Sequence, residues 1–203
     1  MTDITPYDVI PVDVVAAEPA RPRLHLVATA LTSGALLVGY ASLLGFYLSR
    51  RAAVIATGER WLPEGVDIPL TQPNFMMLTL VMSLVTILWA LSSVRRDDRA
   101  NAYLAYGLTL VFGFAQIMQT AFLLTIIEMP IAGSEPAALI YTLVGAQLVV
   151  IGIAMGYVAL TALRTIGGGY SAADVEGVVA TTVFWFVAVG IYLALWYAVY
   201  ITK

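Results

Sequence analysis

Apolar residues fill five long stretches of this chain, and charged residues collect between them. The stretches cover about 26–48, 75–94, 102–127, 137–163 and 178–201. About 20 apolar residues in a helix cross roughly 30 Å of hydrocarbon, so each stretch is long enough to span a bilayer. None shows the apolar/polar alternation of a barrel strand, and lipid offers unpaired backbone groups no partner, so all five are expected to be helical. The pattern predicts an all-α membrane protein, a five-helix transmembrane bundle over 24–203 behind a tail over 1–23. That tail sets Asp3, Asp8, Asp13 and Glu18 among Pro6, Pro11 and Pro19. A secretory signal starts with a basic segment and a shorter apolar core, so the first stretch reads as a span. The apolar run over 8–15 leaves two readings open, a mobile tail and an extended arm on a neighbouring subunit.

Composition sharpens this. Of 203 residues, 61% are hydrophobic and 11% charged, with a mean hydropathy of +0.89. Soluble domains carry about 45–50% apolar and about 25% charged residues. A cytosolic enzyme, a nucleic-acid binder and a secreted disulfide scaffold are therefore excluded. The net charge of −3 includes no polybasic patch. Cysteine is absent, and His25 is the single histidine, so thiolate sites, a bis-histidine haem and a three-histidine metal site are impossible within one chain. Arg21, Arg23, Arg95, Arg96, Arg99 and Arg164 flank the spans on one side, against Arg50, Arg51, Arg60 and Lys203 on the other. That lean predicts a cytoplasmic N-terminus and an outside C-terminus.

No span contains Asp, Glu, Lys, Arg or His. Ionisable groups in hydrocarbon cost about 2.5–3.5 kcal/mol or more and are kept for proton relays, ion paths or cofactors. Their absence argues against a pump, a proton channel, a haem-binding cytochrome or acid–base catalysis. No internal repeat or inverted pair of broken spans points to a transporter. The intramembrane amides are Gln116 and Gln119, three apart on one helix, and Gln147. Interhelix hydrogen bonding is their ordinary use, worth about 0.6–2 kcal/mol each; a polar ligand or quinone head-group site is the functional alternative. Gly152 and Gly156, and likewise Ala41 and Gly45, are small pairs that permit close helix approach. The aromatics Phe184, Trp185, Phe186, Tyr192, Trp196, Tyr197 and Tyr200 predict an interfacial belt, with a cofactor cage as alternative. In the loops, Gly167-Gly168-Gly169 lacks the Lys-Ser/Thr of a phosphate cradle and reads as a turn. Ser171 and Asp174 fit a capping box. Pro63, Pro69 and Pro73 are expected to keep the first connection out of helix. His25 marks the interface where the first span begins.

Taken in order, these segments resemble subunit III of the haem–copper oxidases in its five-helix bacterial form. The first span ends Gly45-Phe46-Tyr47-Leu48-Ser49, similar to the family's "AFY-x-S", and Trp61-Leu62-Pro63 follows in place of its Trp-Pro-Pro loop. Pro73-Asn74 opens a span with Val85-Thr86-Ile87-Leu88-Trp89-Ala90, similar to "SSxxxTxxWA". Gly107-Leu108-Thr109-Leu110 lies in the third span, and the fourth matches in length and in Gly145. Trp185 stands where the family has "YWHFVD", before an Ala194-Leu195 ending. The ionisable positions are replaced: the family's glutamates fall at about Leu36 and Leu123, and its histidines at Leu91, Ser92, Gln147, Val150, Phe186 and Val189.

The resemblance implies a non-catalytic integral-membrane subunit of a cytochrome c oxidase-type complex. It implies a catalytic subunit I partner that holds the haem and copper, none of either in this chain, and bound phospholipid. Proton uptake resting on the replaced carboxylates is not carried over. The alternatives are an accessory subunit of a nitric oxide reductase, a stand-alone small transporter, and an intramembrane enzyme using Gln116, Gln119 and the aromatics.

Overall fold

The computed structural model describes residues 23–63, 65–127, 129 and 134–202. Among these the elements are α1 (Leu24–Ala56), α2 (Thr71–Val94), α3 (Arg99–Ile127), α4 (Glu135–Ile166) and α5 (Glu176–Leu195), the last continued by a π-helical turn over Trp196–Ile201. All five are long and apolar enough to cross a membrane, and the protein is an all-α five-helix integral membrane bundle. Residues 1–22 and Lys203, with the readings attached to them, lie outside the described residues.

The helices alternate in direction. The start of α1, the α2–α3 turn and the α4–α5 loop share one end, here the N-terminal face; Asp97 meets Ala172 there and Leu26 meets Glu176. The end of α1, its loop to α2, the start of α4 and the C-terminus share the other, where Arg50 meets Glu135 and Arg51 meets Thr202. Helix α5 is the axis. It packs against α1, α2 and α4, and its Trp185 reaches Gly113 of α3. In its most apolar stretch 61% is buried, against 17% in α1, which lies outermost.

Between helices in lipid there is no hydrophobic drive, so shape and hydrogen bonds hold the bundle. Gly113 is where shape matters most. A Cβ there would come within 2.8 Å of the Met155 Cγ and 3.0 Å of the Trp185 ring.

The helix ends are secured across the sequence. Helix α1 has no side-chain cap of its own and no acid in its first turn. Glu176 of α5 supplies both, accepting from the Leu26 amide at 3.1 Å where the helix dipole is positive. The α2–α3 turn closes with Asp97 at φ 53°, a left-handed conformation that a short polar side chain tolerates. The Asp98 amide returns to the Ser93 carbonyl at 2.9 Å, and the Asp97 carboxylate accepts from the Ala172 amide at 2.8 Å. Asp98 then caps α3, accepting from the Asn101 amide (3.2 Å) and its side-chain Nδ2 (2.6 Å).

Three local expectations are corrected. Helix α1 continues past Ser49, so Arg50 and Arg51 stand on it, and Arg50 grips Glu135 at 2.6 and 3.0 Å. Pro73 lies inside the first turn of α2, where its missing N–H has no intrahelical partner to lose. The capping box at Ser171 and Asp174 does not form. Their backbones pair with each other instead (3.2 and 3.0 Å), and α5 starts at Glu176 with Asp174 accepting from its amide at 3.4 Å.

Two outcomes follow. The Asn101 contacts, side chain first, hold the Asp98 carboxyl below the usual carboxylate range. Its folded value is lowered, so its contribution is complete above the ordinary value of about 3.9 and is lost as pH falls through the lowered value. Hydrogen exchange at the first turn of α3 is expected to accelerate in that window and, in Asp98→Ala, to be fast already at neutral pH; equal rates in both proteins would refute the cap. Gly113→Leu is expected to lose about 1–3 kcal/mol by overpacking, read by reversible unfolding in mixed micelles. An unchanged midpoint would show that α3, α4 and α5 can part freely.

Candidate functional site

A polar side chain in hydrocarbon finds its partners only within protein, so the interior polar contacts show how the helices are joined. Several of these contacts join one helix to the next. The Trp185 indole N–H donates to the Ser83 hydroxyl at 2.9 Å, which donates to the Leu80 carbonyl at 2.6 Å. The Thr86 and Thr109 hydroxyls join α2 to α3 at 2.8 Å, and those of Thr161 and Thr181 join α4 to α5 at 2.6 Å.

The three glutamines do not converge. Gln119 is half-buried and bonds Thr79 of α2, donating at 3.1 Å and accepting at 3.3 Å. Gln147 is buried and donates to the Ala188 carbonyl of α5 at 3.2 Å. Gln116 is buried with its amide close to the Tyr192 hydroxyl of α5, but neither end of that amide makes a well-formed hydrogen bond to a described residue. The close spacing of Gln116 and Gln119 suggested a shared face; the structure sends one towards α2 and the other towards α5.

The aromatic residues of the last span correct the belt expectation. Phe184, Trp185, Tyr192 and Tyr200 are buried because α5 is the central helix. Phe186 and Tyr197 are exposed, and Trp196 is half-buried, its indole donating to the Asn74 side chain at 2.9 Å.

The small residues face outward. Ala41, Gly45, Gly152 and Gly156 are exposed, and nothing lies within 4 Å of a Cβ placed at any of the three glycines. None of the four serves packing inside this chain.

Apolar grooves open on both sides of α1. One runs between α1 and α4 in two parts. Towards the N-terminal face it holds about 440 Å³ among Thr32, Ile153, Gly156, Leu160 and Phe184, and its continuation holds about 520 Å³ among Leu36, Gly39, Tyr40 and Val150. The other, about 590 Å³, lies between α1 and α2 over α5. Leu91 and Phe186 line it together. His25 and Arg164 are both exposed, one turn beyond the wall residues Thr29 and Leu160. They flank the mouth of the α1–α4 groove.

Among the described residues, no group of three or more His, Asp or Glu is placed to hold a metal ion. No protein-family model matches this chain, and no curated protein matches it.

Sequence reasoning missed Ser83, Gly113 and Glu176. The partners Ser83 and Trp185 are separated by 102 residues, and no local spacing announces such a pair. Ser83→Ala strips the Trp185 N–H of its acceptor in the core and is expected to destabilise by about 1–3 kcal/mol. Denaturant unfolding checks this, with Ser83→Thr as the variant that keeps the acceptor; equal stability of Ser83→Ala and wild type would refute it.

Proposed function

We propose that this chain is a non-catalytic, subunit III-like membrane subunit of a haem–copper oxidase, docked beside a catalytic subunit and holding lipid. The observation that carries the reading is the outward row Gly152 and Gly156, open on the side where a Cβ would meet nothing. Small residues facing lipid gain nothing there, whereas they let the backbone of another helix approach closely. The ordered sequence resemblance supports the choice of partner. The groove between α1 and α4 supports the lipid role: its volume lies within the usual ligand range of about 300–1,000 Å³. Its wall is apolar, and its mouth lies between His25 and Arg164, where an acidic head group is attracted. In this reading the N-terminus is cytoplasmic, the C-terminus is outside, and haem and copper belong to the partner.

Purification of the tagged protein from its native membrane in mild detergent, followed by a reduced-minus-oxidised spectrum and mass spectrometry, tests the proposal. Haem bands with a large co-purifying membrane subunit are expected, and the haem type separates oxidase from nitric oxide reductase. A colourless, solitary chain that carries flux when reconstituted would overturn it in favour of a transporter. Gly152→Leu is expected to reduce retention of the chain in the complex on native gels, while Ser92→Ala leaves it unchanged. Equal retention of the two would refute docking on this row.

A further inference from the structure

Buried polar atoms without a partner among the described residues occur towards both faces of the bundle. Towards the N-terminal face they are three single hydroxyls on three different helices, Ser33, Ser93 and Tyr106, while Trp185 is paired with Ser83. Towards the C-terminal face the Tyr200 hydroxyl, both ends of the Gln116 amide, the Gln147 Oε1 and the Arg51 Nε have no partner among the described residues. Gln116, Gln147 and Tyr200 are all at most 3% exposed. Unpaired polar atoms this deep are rare in proteins, and ordered water is their usual partner.

These groups are arranged by depth. At the C-terminal face Arg51 donates to Thr202 at 2.6 Å, and Trp61 donates to the Tyr47 hydroxyl at 3.3 Å. Tyr200 neighbours Tyr40 and Tyr47. One level deeper, Tyr40 and Tyr192 donate to the Leu143 and Pro73 carbonyls at 3.2 and 2.9 Å, which leaves lone pairs on both phenol oxygens. At 1.5 Å per residue, Gln116 and Gln147 stand about 16–18 Å in from Ile127 and Glu135, roughly half the bilayer.

The π-helical turn puts Tyr200 into this order. Regular helix would rotate it about 80° away from Tyr192. The wider winding, seen in the Thr202 amide bonding back to the Tyr197 carbonyl five residues earlier at 3.1 Å, removes most of that rotation. The α1–α4 groove touches the lane at Tyr40, while neither large groove is lined by Gln116, Gln147, Tyr192 or Tyr200.

We propose that a file of internal water molecules runs from Arg51 at the C-terminal face to Gln116 and Gln147 near mid-membrane, held between α1, α3, α4 and α5. The file ends there. At its inner end the spans offer no Asp, Glu, Lys, Arg or His to take a proton, and the paired Ser83 and Trp185 lie beyond. It therefore hydrates half of the bundle without crossing the membrane. The claim is independent of any partner.

Hydroxyl-radical footprinting of the intact protein in lipid nanodiscs, in ¹⁸O-labelled water on the millisecond scale, tests it. Radicals made from bound water mark adjacent side chains however deeply they lie. Tyr192 and Tyr200 are expected to take up label while Trp185, equally buried but paired, remains unlabelled. Gln116→Leu is expected to lose the label at Tyr192 and keep it at Tyr200. Labelling of the two tyrosines no faster than Trp185 would overturn the file, with or without a folded variant. Unchanged Tyr192 labelling in a folded Gln116→Leu protein would overturn Gln116 as its inner end.

Discussion

A hydroxyl, amide or indole carried into hydrocarbon must be satisfied by protein or by trapped water, and in this bundle α5 is where that requirement is met. Successive levels of α5 reach different neighbours. Thr181 bonds α4, Trp185 bonds α2 through Ser83, the Ala188 carbonyl receives Gln147 of α4, and Tyr192 and Trp196 return to the start of α2. A helix that is apolar all round is suited to the centre of a bundle. The few polar groups it carries then fix which neighbour stands at which height. Gly113 makes room for the largest of them, since the Trp185 ring occupies the space a side chain on α3 would need.

Helix α1 is held on different terms. Its links to α4 are the Tyr40 bond to the Leu143 carbonyl, the 3.0 Å contact of Thr29 with Tyr157, and the exposed Arg50–Glu135 pair. Its first turn is capped from α5. It packs mainly on α5 and only sparsely on α4, and grooves open on both its sides. Gly39 and Gly156 lie in the wall between α1 and α4, and Gly190 lies in the groove over α5. Glycine in these walls keeps the grooves open, which fits a surface filled by lipid chains or by another subunit's helices.

The number, order and approximate bounds of the helices were legible in the sequence because hydrocarbon leaves no other option for 20 apolar residues. Which helix is central was not. The aromatic residues of α5 read as a membrane-interface belt, since near a span end a Tyr or Trp looks the same whether it faces head groups or a neighbouring helix. Only the packing of α1, α2 and α4 around α5 settles it for Tyr192 and Tyr200. The glutamines show a second limit. Spacing places Gln116 and Gln119 near one another, but a difference of three residues turns a side chain by about 60°, enough to give one to α2 and the other to α5. Long-range pairs such as Ser83 with Trp185, and the trans cap from Glu176, leave no local signature at all.

An interior of hydroxyls and amides, with no Asp, Glu, Lys, Arg or His at mid-span, is limited in what it can do. Thr86 with Thr109, or Thr161 with Thr181, fixes helix register without placing charge in lipid. The same chemistry gives protons no place to rest, because an amide does not ionise near neutral pH and a phenol's ordinary value, about 10, lies well above it. A bundle built this way is joined by neutral hydrogen bonds and electrically quiet across its middle. That combination is consistent with the proposed structural role and gives this interior no relay for charge.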